Sequence, residues 1–233
     1  MTDTIAPRRI LGVLVPWFNT AVQPELDALR PAGVSNQTAR FALDAKVVED
    51  IGEAATKLMA CAPDALLIGL ATEAFPNGLA MLETVATSLA QRCERPVFTA
   101  SHAPHAALRA LGARRIGIVT PFDAAANERA RAAFESAGFE VVRIAGLACP
   151  SIDAIARTPR DAIQRIFGEA DTDAAEALVQ VGTGLPVLHQ IEALERAHGK
   201  PVIACNAALY WQALRALGVA DPVTGFGRLL AEH

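Results

Sequence analysis

The chain has 233 residues, 52% of them hydrophobic and 20% charged, with a formal net charge of −4 at pH 7. That is enough for one large domain or two small lobes with a real core. A negative balance without a basic stripe argues against a nucleic-acid partner, and no apolar run reaches the ~18 residues that a membrane span needs. The segment Met1–Arg9 is short and polar with no apolar signal core, so a soluble cytoplasmic protein is expected. Cys61, Cys93, Cys149 and Cys205 are scattered without CxxC spacing, which disfavours a disulfide framework or a zinc site.

The first element, Ile10 to Val15, is a continuous apolar run closed by Pro16, the pattern of a parallel strand buried on both faces. Phe41–Leu43 is a weaker strand candidate, and Val47–Met59 has helical spacing. Ala65–Leu70 is a second buried strand, Gly78–Gln91 a helix, and Val97–Ala100 a strand. A helix then runs to Leu111, where Gly112 supplies the stop. The pattern returns: strand Ile116–Thr120, a helix capped by Asp123 and running to Ala137, Gly138 as its stop, and strand Phe139–Ile144. Helix Arg160–Glu169, strand Ala177–Val181, helix Pro186–Ala197, strand Val202–Cys205 and helix Ala207–Leu217 complete the chain.

Part of this return is literal. Arg95-Pro96-Val97-Phe98-Thr99-Ala100-Ser101 recurs as Lys200-Pro201-Val202-Ile203-Ala204-Cys205-Asn206, and each runs on into Ala-Leu-Arg-Ala-Leu-Gly. Gly12-Val13-Leu14-Val15-Pro16-Trp17 recurs as Gly117-Ile118-Val119-Thr120-Pro121-Phe122. The repeat predicts an α/β protein of two pseudo-twofold lobes, each a parallel sheet of about four strands flanked by helices. Lobe one is 1–111 and lobe two 112–218, with the tail 219–233 placed to pack back on lobe one. A small-molecule site is expected in the cleft between them, at the carboxyl ends of the strands.

The loops at those ends carry the candidates. Thr72 and Thr183 each offer a hydroxyl and nearby N–H groups, which suits binding a carboxylate or an enolate; turn and cap roles compete with that reading. Asn19 and Asn206 are potential amide donors to a carboxylate or Asx-turn formers. Glu73 is the one acidic side chain beside these loops, a general acid or base if the cleft is dry, or else an outward helix-start glutamate. Cys205 is a reactive thiol or an inert buried one. His102 and His105 lack a third metal ligand, so no metal is expected. Trp17, Phe18, Phe75 and Phe122 line a pocket or belong to the lobe interface. GxGxxG, GxxxxGK and GxSxG are all absent, which removes the usual nucleotide cradles and the serine-hydrolase elbow.

Taken in order, these residues resemble a known superfamily. The two-lobed layout is similar to that of the aspartate/glutamate racemases. Gly12-Val13-Leu14-Val15-Pro16-x-x-Asn19-Thr20 resembles maleate cis-trans isomerases. Asn127-Glu128-Arg129, the Trp211 helix and Gly225-Phe226-Gly227-Arg228-Leu229-Leu230 resemble arylmalonate decarboxylases. The resemblance implies a cofactor-free site between the lobes that handles small carboxylic acids. It also implies cysteines at one or both strand ends, where this chain has Ala71 (before Thr72) and Gly182 (before Thr183). A substrate-contacting tyrosine of the decarboxylases is matched by Phe122.

These departures exclude racemisation by two opposed thiols and isomerisation through a cysteine adduct at the usual position. Decarboxylation needs only charge stabilisation and an apolar pocket, which Asn19, Thr72, Thr183-Gly184 and Asn206 are expected to supply, with Pro16 lining the site. Reprotonation then falls to water, Glu73 or Cys205. The rival readings are a non-catalytic carboxylate-binding protein and a hydrolase or lyase in which Glu73 activates water. The expected partner is a small carboxylic acid, and a homo-oligomer is left open.

Overall fold

The computed structural model describes residues 3–233. It contains two four-stranded, all-parallel sheets of identical topology. In the first the order is β2-β1-β3-β4, built from β1 (Arg9–Pro16), β2 (Val34–Phe41), β3 (Ala65–Ile68) and β4 (Val97–Thr99). In the second it is β6-β5-β7-β8, from β5 (Arg115–Thr120), β6 (Glu140–Gly146), β7 (Ala177–Gln180) and β8 (Val202–Ala204). Each sheet repeats β–α crossovers, as parallel pairing requires.

The first sheet shows why its strands read as unbroken apolar runs. Side chains alternate across a strand, and here both faces are covered. Leu11, Val13 and Val15 of β1 and Leu67 of β3 enter the main core, while Leu14 of β1 and Leu66 and Ile68 of β3 enter a second core on the opposite face. The second core lies under α2 (Val47–Leu58) and α3 (Gly78–Cys93), which contribute Ile51, Ala55, Leu58, Leu82, Val85 and Leu89. The main core is continuous through both sheets.

Its bridge is a pair of exchanged helices. α4 (Ala103–Ala110) follows β4 and packs against β8 and α9 (Cys205–Ala216), while α9 follows β8 and packs against β3 and β4. α9 is buried along nearly its whole length, including Tyr210, whose hydroxyl donates to Asn36 of β2. The tail also joins the halves: Arg8 pairs with Asp221, and α10 (Arg228–Glu232) packs on α9.

Several elements differ from the sequence reading. β2 ends at Phe41, so Phe41–Leu43 caught only its last residue; the strand is an edge, its middle is polar and only partly covered, and it lacks the apolar run. Three short helices escaped: α1 (Val22–Ala28), α6 (Ile152–Ala156) and α10. The helix expected from Pro186 begins as a 3-10 turn at Leu188–Gln190 and becomes α8 at Ile191–His198. β8 ends at Ala204, and α9 starts at Cys205 rather than Ala207. Other signals behaved as read: the Asp123 carboxylate accepts the Ala126 N–H at the start of α5 (Ala124–Ser136), and Gly112 and Gly138 have positive φ. Among the described residues no helix is long and apolar enough to cross a membrane.

His105 is one of the lobe-joining residues. It is buried, sits edge-on to Phe134 at 4.7 Å and stacks obliquely on Phe139 at 5.7 Å. Burial, reinforced by His102 and Arg109, lowers its pKa to about 4. The unfolded chain therefore binds a proton that the folded one refuses between pH ~6.5 and ~4, and stability is lost as pH falls through that window. His105→Phe is expected to escape this loss. The difference in unfolding free energy between variant and wild type should grow by up to about 3 kcal/mol from pH 7 to pH 4 in paired denaturant titrations.

Candidate functional site

The strand ends of both sheets open on a small cavity of about 100 Å3 between the lobes. Pro16, Asn19 and Ala71 come from lobe one; Pro121 and the turn Gly182–Gly184 come from lobe two. Leu43, Leu70, Ile152, Ile155 and Ala156 form an apolar wall. Ser151 positions the last three by accepting the Ala154 N–H at the start of α6. Exposed Phe75 and half-buried Phe18 complete the lining. The space is several times that of one water, enough for a small organic acid.

Asn19 ties the lobes at this point. Its Oδ1 accepts the N–H groups of Ala21 and Val22 at the start of α1, and its Nδ2 donates to Thr183 Oγ1 at 3.1 Å. The loop carrying Asn19 is held from outside by Arg40, which donates to the carbonyls of Pro16, Trp17 and Asn19. The backbone N–H groups of Thr183 and Gly184 find no acceptor among the described residues, and both residues line the cavity, an arrangement that suits an anion.

Gly182 has a backbone that other residues resist. Its φ is +103°, and a Cβ there would stand 2.7 Å from Pro121 Cδ and 3.4 Å from the Phe122 ring. Position 182 thus excludes a side chain by conformation and by contact. Phe122 is half-buried beside Gly182 but does not line the cavity.

The remaining candidates lie behind the cavity wall. Thr72 is fully buried; its N–H donates to Ser101 Oγ at 3.0 Å, and its hydroxyl lies 3.2 Å from the same atom. Glu73 does not start a helix, since α3 begins at Gly78. Its carboxylate is enclosed, and neither oxygen has a partner of good hydrogen-bond geometry. Burial pushes its pKa up to about 7, offset only in part by the Ser101 hydroxyl and the N–H groups of Glu73 and Thr72. Cys205 is fully buried in the first turn of α9, and burial together with Glu73 and Glu25 pushes its thiol well above the usual range. The thiol is therefore protonated and a poor nucleophile. Asn206 is also fully spent, its Nδ2 donating to Glu25 Oε2 at 2.7 Å and to the Thr183 carbonyl at 3.0 Å.

Glu25 was not among the sequence candidates. It sits on the buried face of α1, and its Oε1 accepts the Leu188 N–H of lobe two. Burial raises its pKa to about 7, against the pull of Asn206 and the N–H groups of Leu188 and Val187. A signal for it exists: Val22, Glu25, Leu26 and Leu29 fall at i, i+3, i+4 and i+7, which puts an acid on an apolar stripe. His102 bonds Thr99 through Nδ1, and no cluster of three or more metal-ligand side chains occurs among the described residues.

Two like parallel-sheet lobes with a cavity at their shared cleft are the architecture of the aspartate/glutamate racemase-like α/β proteins. The sequence model of the arylmalonate decarboxylase family matches residues 11–230, and the chain belongs to that family. It is 29% identical to the arylmalonate decarboxylase of Bordetella bronchiseptica, covering 94% of this chain and 92% of that one. It is 27% identical to the maleate isomerase of Nocardia farcinica, covering 96% of each. Among solved structures, a cysteine-to-serine variant of the Nocardia farcinica maleate cis-trans isomerase with a covalently bound succinylcysteine intermediate superposes with a TM-score of 0.86. The identity is 24%, over 97% of this chain and 99% of that one. Unliganded arylmalonate decarboxylase superposes with a TM-score of 0.81 at 22% identity, over 97% and 100% of the two chains. These structures share the two-sheet fold described above.

Two expectations follow. Gly182→Ala should lower stability by more than about 1 kcal/mol, because the new Cβ is strained at this φ and meets Pro121; thermal unfolding checks it. Glu73 binds its proton more tightly folded than unfolded, so its contribution to stability falls as pH rises from about 4.5 to 7. Glu73→Gln should flatten that decline by about 3 kcal/mol, read from denaturant midpoints at pH 4.5 and 8.

Proposed function

We propose that the protein is a cofactor-free enzyme that decarboxylates a small substituted malonate through an enolate-like intermediate held in the inter-lobe cleft. The observation that carries the reading is the composition of the cavity in a member of this family. Thr183 and Gly184, whose N–H groups have no acceptor among the described residues, and the Asn19–Thr183 pair share the cavity lining with the apolar Leu43, Ile152 and Ile155. One carboxylate of the substrate binds the polar turn. The other lies against the apolar wall, where a desolvated anion is destabilised and leaves as CO2. The electron pair of the broken C–C bond stays on the α-carbon and is delocalised onto the bound carboxylate, whose growing charge the turn stabilises. A proton from solvent then closes the product.

The cavity holds Ala71 and Gly182 where the resemblance places cysteines, and no lining residue is a thiol, an acid, a histidine or a lysine. Isomerisation through a cysteine adduct therefore has no nucleophile here. Thr72, Glu73, Cys205 and Asn206, proposed from the sequence as direct participants, are assigned supporting places behind the wall. A hydrolase using Glu73 is disfavoured for the same reason. The same poverty of titratable groups favours, as a second reading, a protein that binds a small carboxylate without transforming it.

Proton NMR in D2O with phenylmalonate, alkylmalonates and maleate separates these readings. The enzyme is expected to release a monodeuterated monocarboxylate, and Thr183→Val is expected to lower kcat/KM by about 10² or more. Saturable ligand broadening with no product supports the binding protein; fumarate from maleate refutes the decarboxylase.

A further inference from the structure

We infer that Glu25 is a positioning residue of the cleft: from lobe one, it holds the Gly182–Gly184 turn of lobe two in its anion-binding arrangement through Asn206 and the Leu188 N–H. The inference deepens the carboxylate-cleft reading, and the binding arm of its test rests on that reading.

The connection is short and fully traced. Glu25 Oε2 accepts from Asn206 Nδ2 at 2.7 Å, and the same amide nitrogen donates to the Thr183 carbonyl at 3.0 Å. Glu25 Oε1 accepts the Leu188 N–H at 3.0 Å, fixing the chain just beyond the turn. Thr183, which lines the cavity, is thus pinned at its carbonyl by Asn206 and at its hydroxyl by Asn19, while its N–H has no acceptor among the described residues. Both partners of the Asn206 nitrogen are acceptors, so the amide has one sensible orientation. Glu25, Asn206 and Thr183 are all buried, and among the described residues no salt bridge involves Glu25.

The device works only with an ionised Glu25. A carboxylate accepts on both oxygens; a carboxylic acid presents one donor, which opposes either the Leu188 N–H or the Asn206 amide. Flipping Asn206 to accept that proton would turn its oxygen on the Thr183 carbonyl, acceptor against acceptor. Glu25→Gln imposes the same conflict at every pH. Other titratable or charged groups on the packed elements are Cys205, Tyr210 and Arg215 of α9, Arg9 of β1, Arg40 of β2, His189 beside Leu188, Asp27 on the same helix, and Glu73 beyond Cys205. Tyr210 and Asp27 are both engaged with Asn36.

The test is amide NMR of the 15N-labelled full chain from pH 5.5 to 8.5. In wild type, Gly182, Thr183, Gly184 and Leu188 are expected to titrate together with a midpoint near 7. In Glu25→Gln they should rest at the low-pH positions throughout. In Asn206→Ala, Leu188 should still titrate while the Gly182–Gly184 turn no longer follows. Glu73→Gln, which removes the other buried carboxyl, should leave the curves in place. Unchanged titration of the turn in Glu25→Gln, or its loss in Glu73→Gln, overturns the inference. In calorimetry with phenylacetate, the monocarboxylate that the proposed reaction releases, at pH 8, Glu25→Gln should weaken binding about tenfold (about 1.4 kcal/mol), with Glu25→Asp recovering most of it. Equal binding by wild type and Glu25→Gln overturns the inference. Wild type that binds no phenylacetate overturns the carboxylate-cleft reading alone, and the amide curves still decide on Glu25.

Discussion

The structure depends on helices that leave one sheet and bury themselves against the other. α9 emerges from β8 yet packs on β3, β4 and α1, and α4 emerges from β4 yet packs on β8. The seam between the lobes is therefore a dry core, continuous with the centre of each sheet. A dry seam imposes a rule on every polar group within it: find a partner, or give up charge. Asn19, Thr183, Asn206 and Glu25 obey by bonding one another across the lobes. Cys205 obeys by keeping its proton, His105 by refusing one, and Glu73 by holding its proton up to a pH of about 7.

The same rule places the cavity. Strand ends carry unsatisfied backbone groups, and here two sets face each other where the seam opens to solvent. The polar side chains nearest the opening spend their capacity on the seam, so what remains for a ligand is mainly backbone N–H and apolar surface. Such a site stabilises charge by preorganised dipoles, with little help from proton transfer by side chains. Its quality then rests on how firmly the Gly182–Gly184 turn is held.

Much of the architecture was legible because it is written in apolar runs. β1, β3, β5 and β7 are central strands, and they read as strands directly from sequence; the repeat between Gly12–Trp17 and Gly117–Phe122 matches β1 with β5 across the halves. β2 was mostly missed because an edge strand with solvent on its middle residues carries polar side chains. Asn19, Ala71, Gly182, Thr183 and Gly184, singled out by counting to strand ends, line the inter-lobe cavity. Glu73 and Cys205, expected in the cleft, are buried and do not line it. Position along the chain identified their loop, but the direction of each side chain depends on packing by Ser101 and α9, which no local spacing encodes. Glu25 was passed over for the opposite reason: its partners Asn206 and Leu188 are more than 160 residues away, and its one sequence signal is its place on an apolar stripe.

Gly182 narrows what this site can carry. At the position where the resemblance expects a thiol, the backbone stands at a φ of +103° and Pro121 occupies the space a Cβ needs. The Thr183 and Gly184 N–H groups have no acceptor among the described residues, and the Thr183 carbonyl is tied back through Asn206. A thiol at this position would act as acid or nucleophile, whereas a bare turn offers only dipoles. On the decarboxylase reading proposed above, a site so built suits reactions whose hard step is charge accumulation rather than proton transfer. Heterolysis of a carbon–carboxylate bond is such a step, and opening a covalent adduct is not.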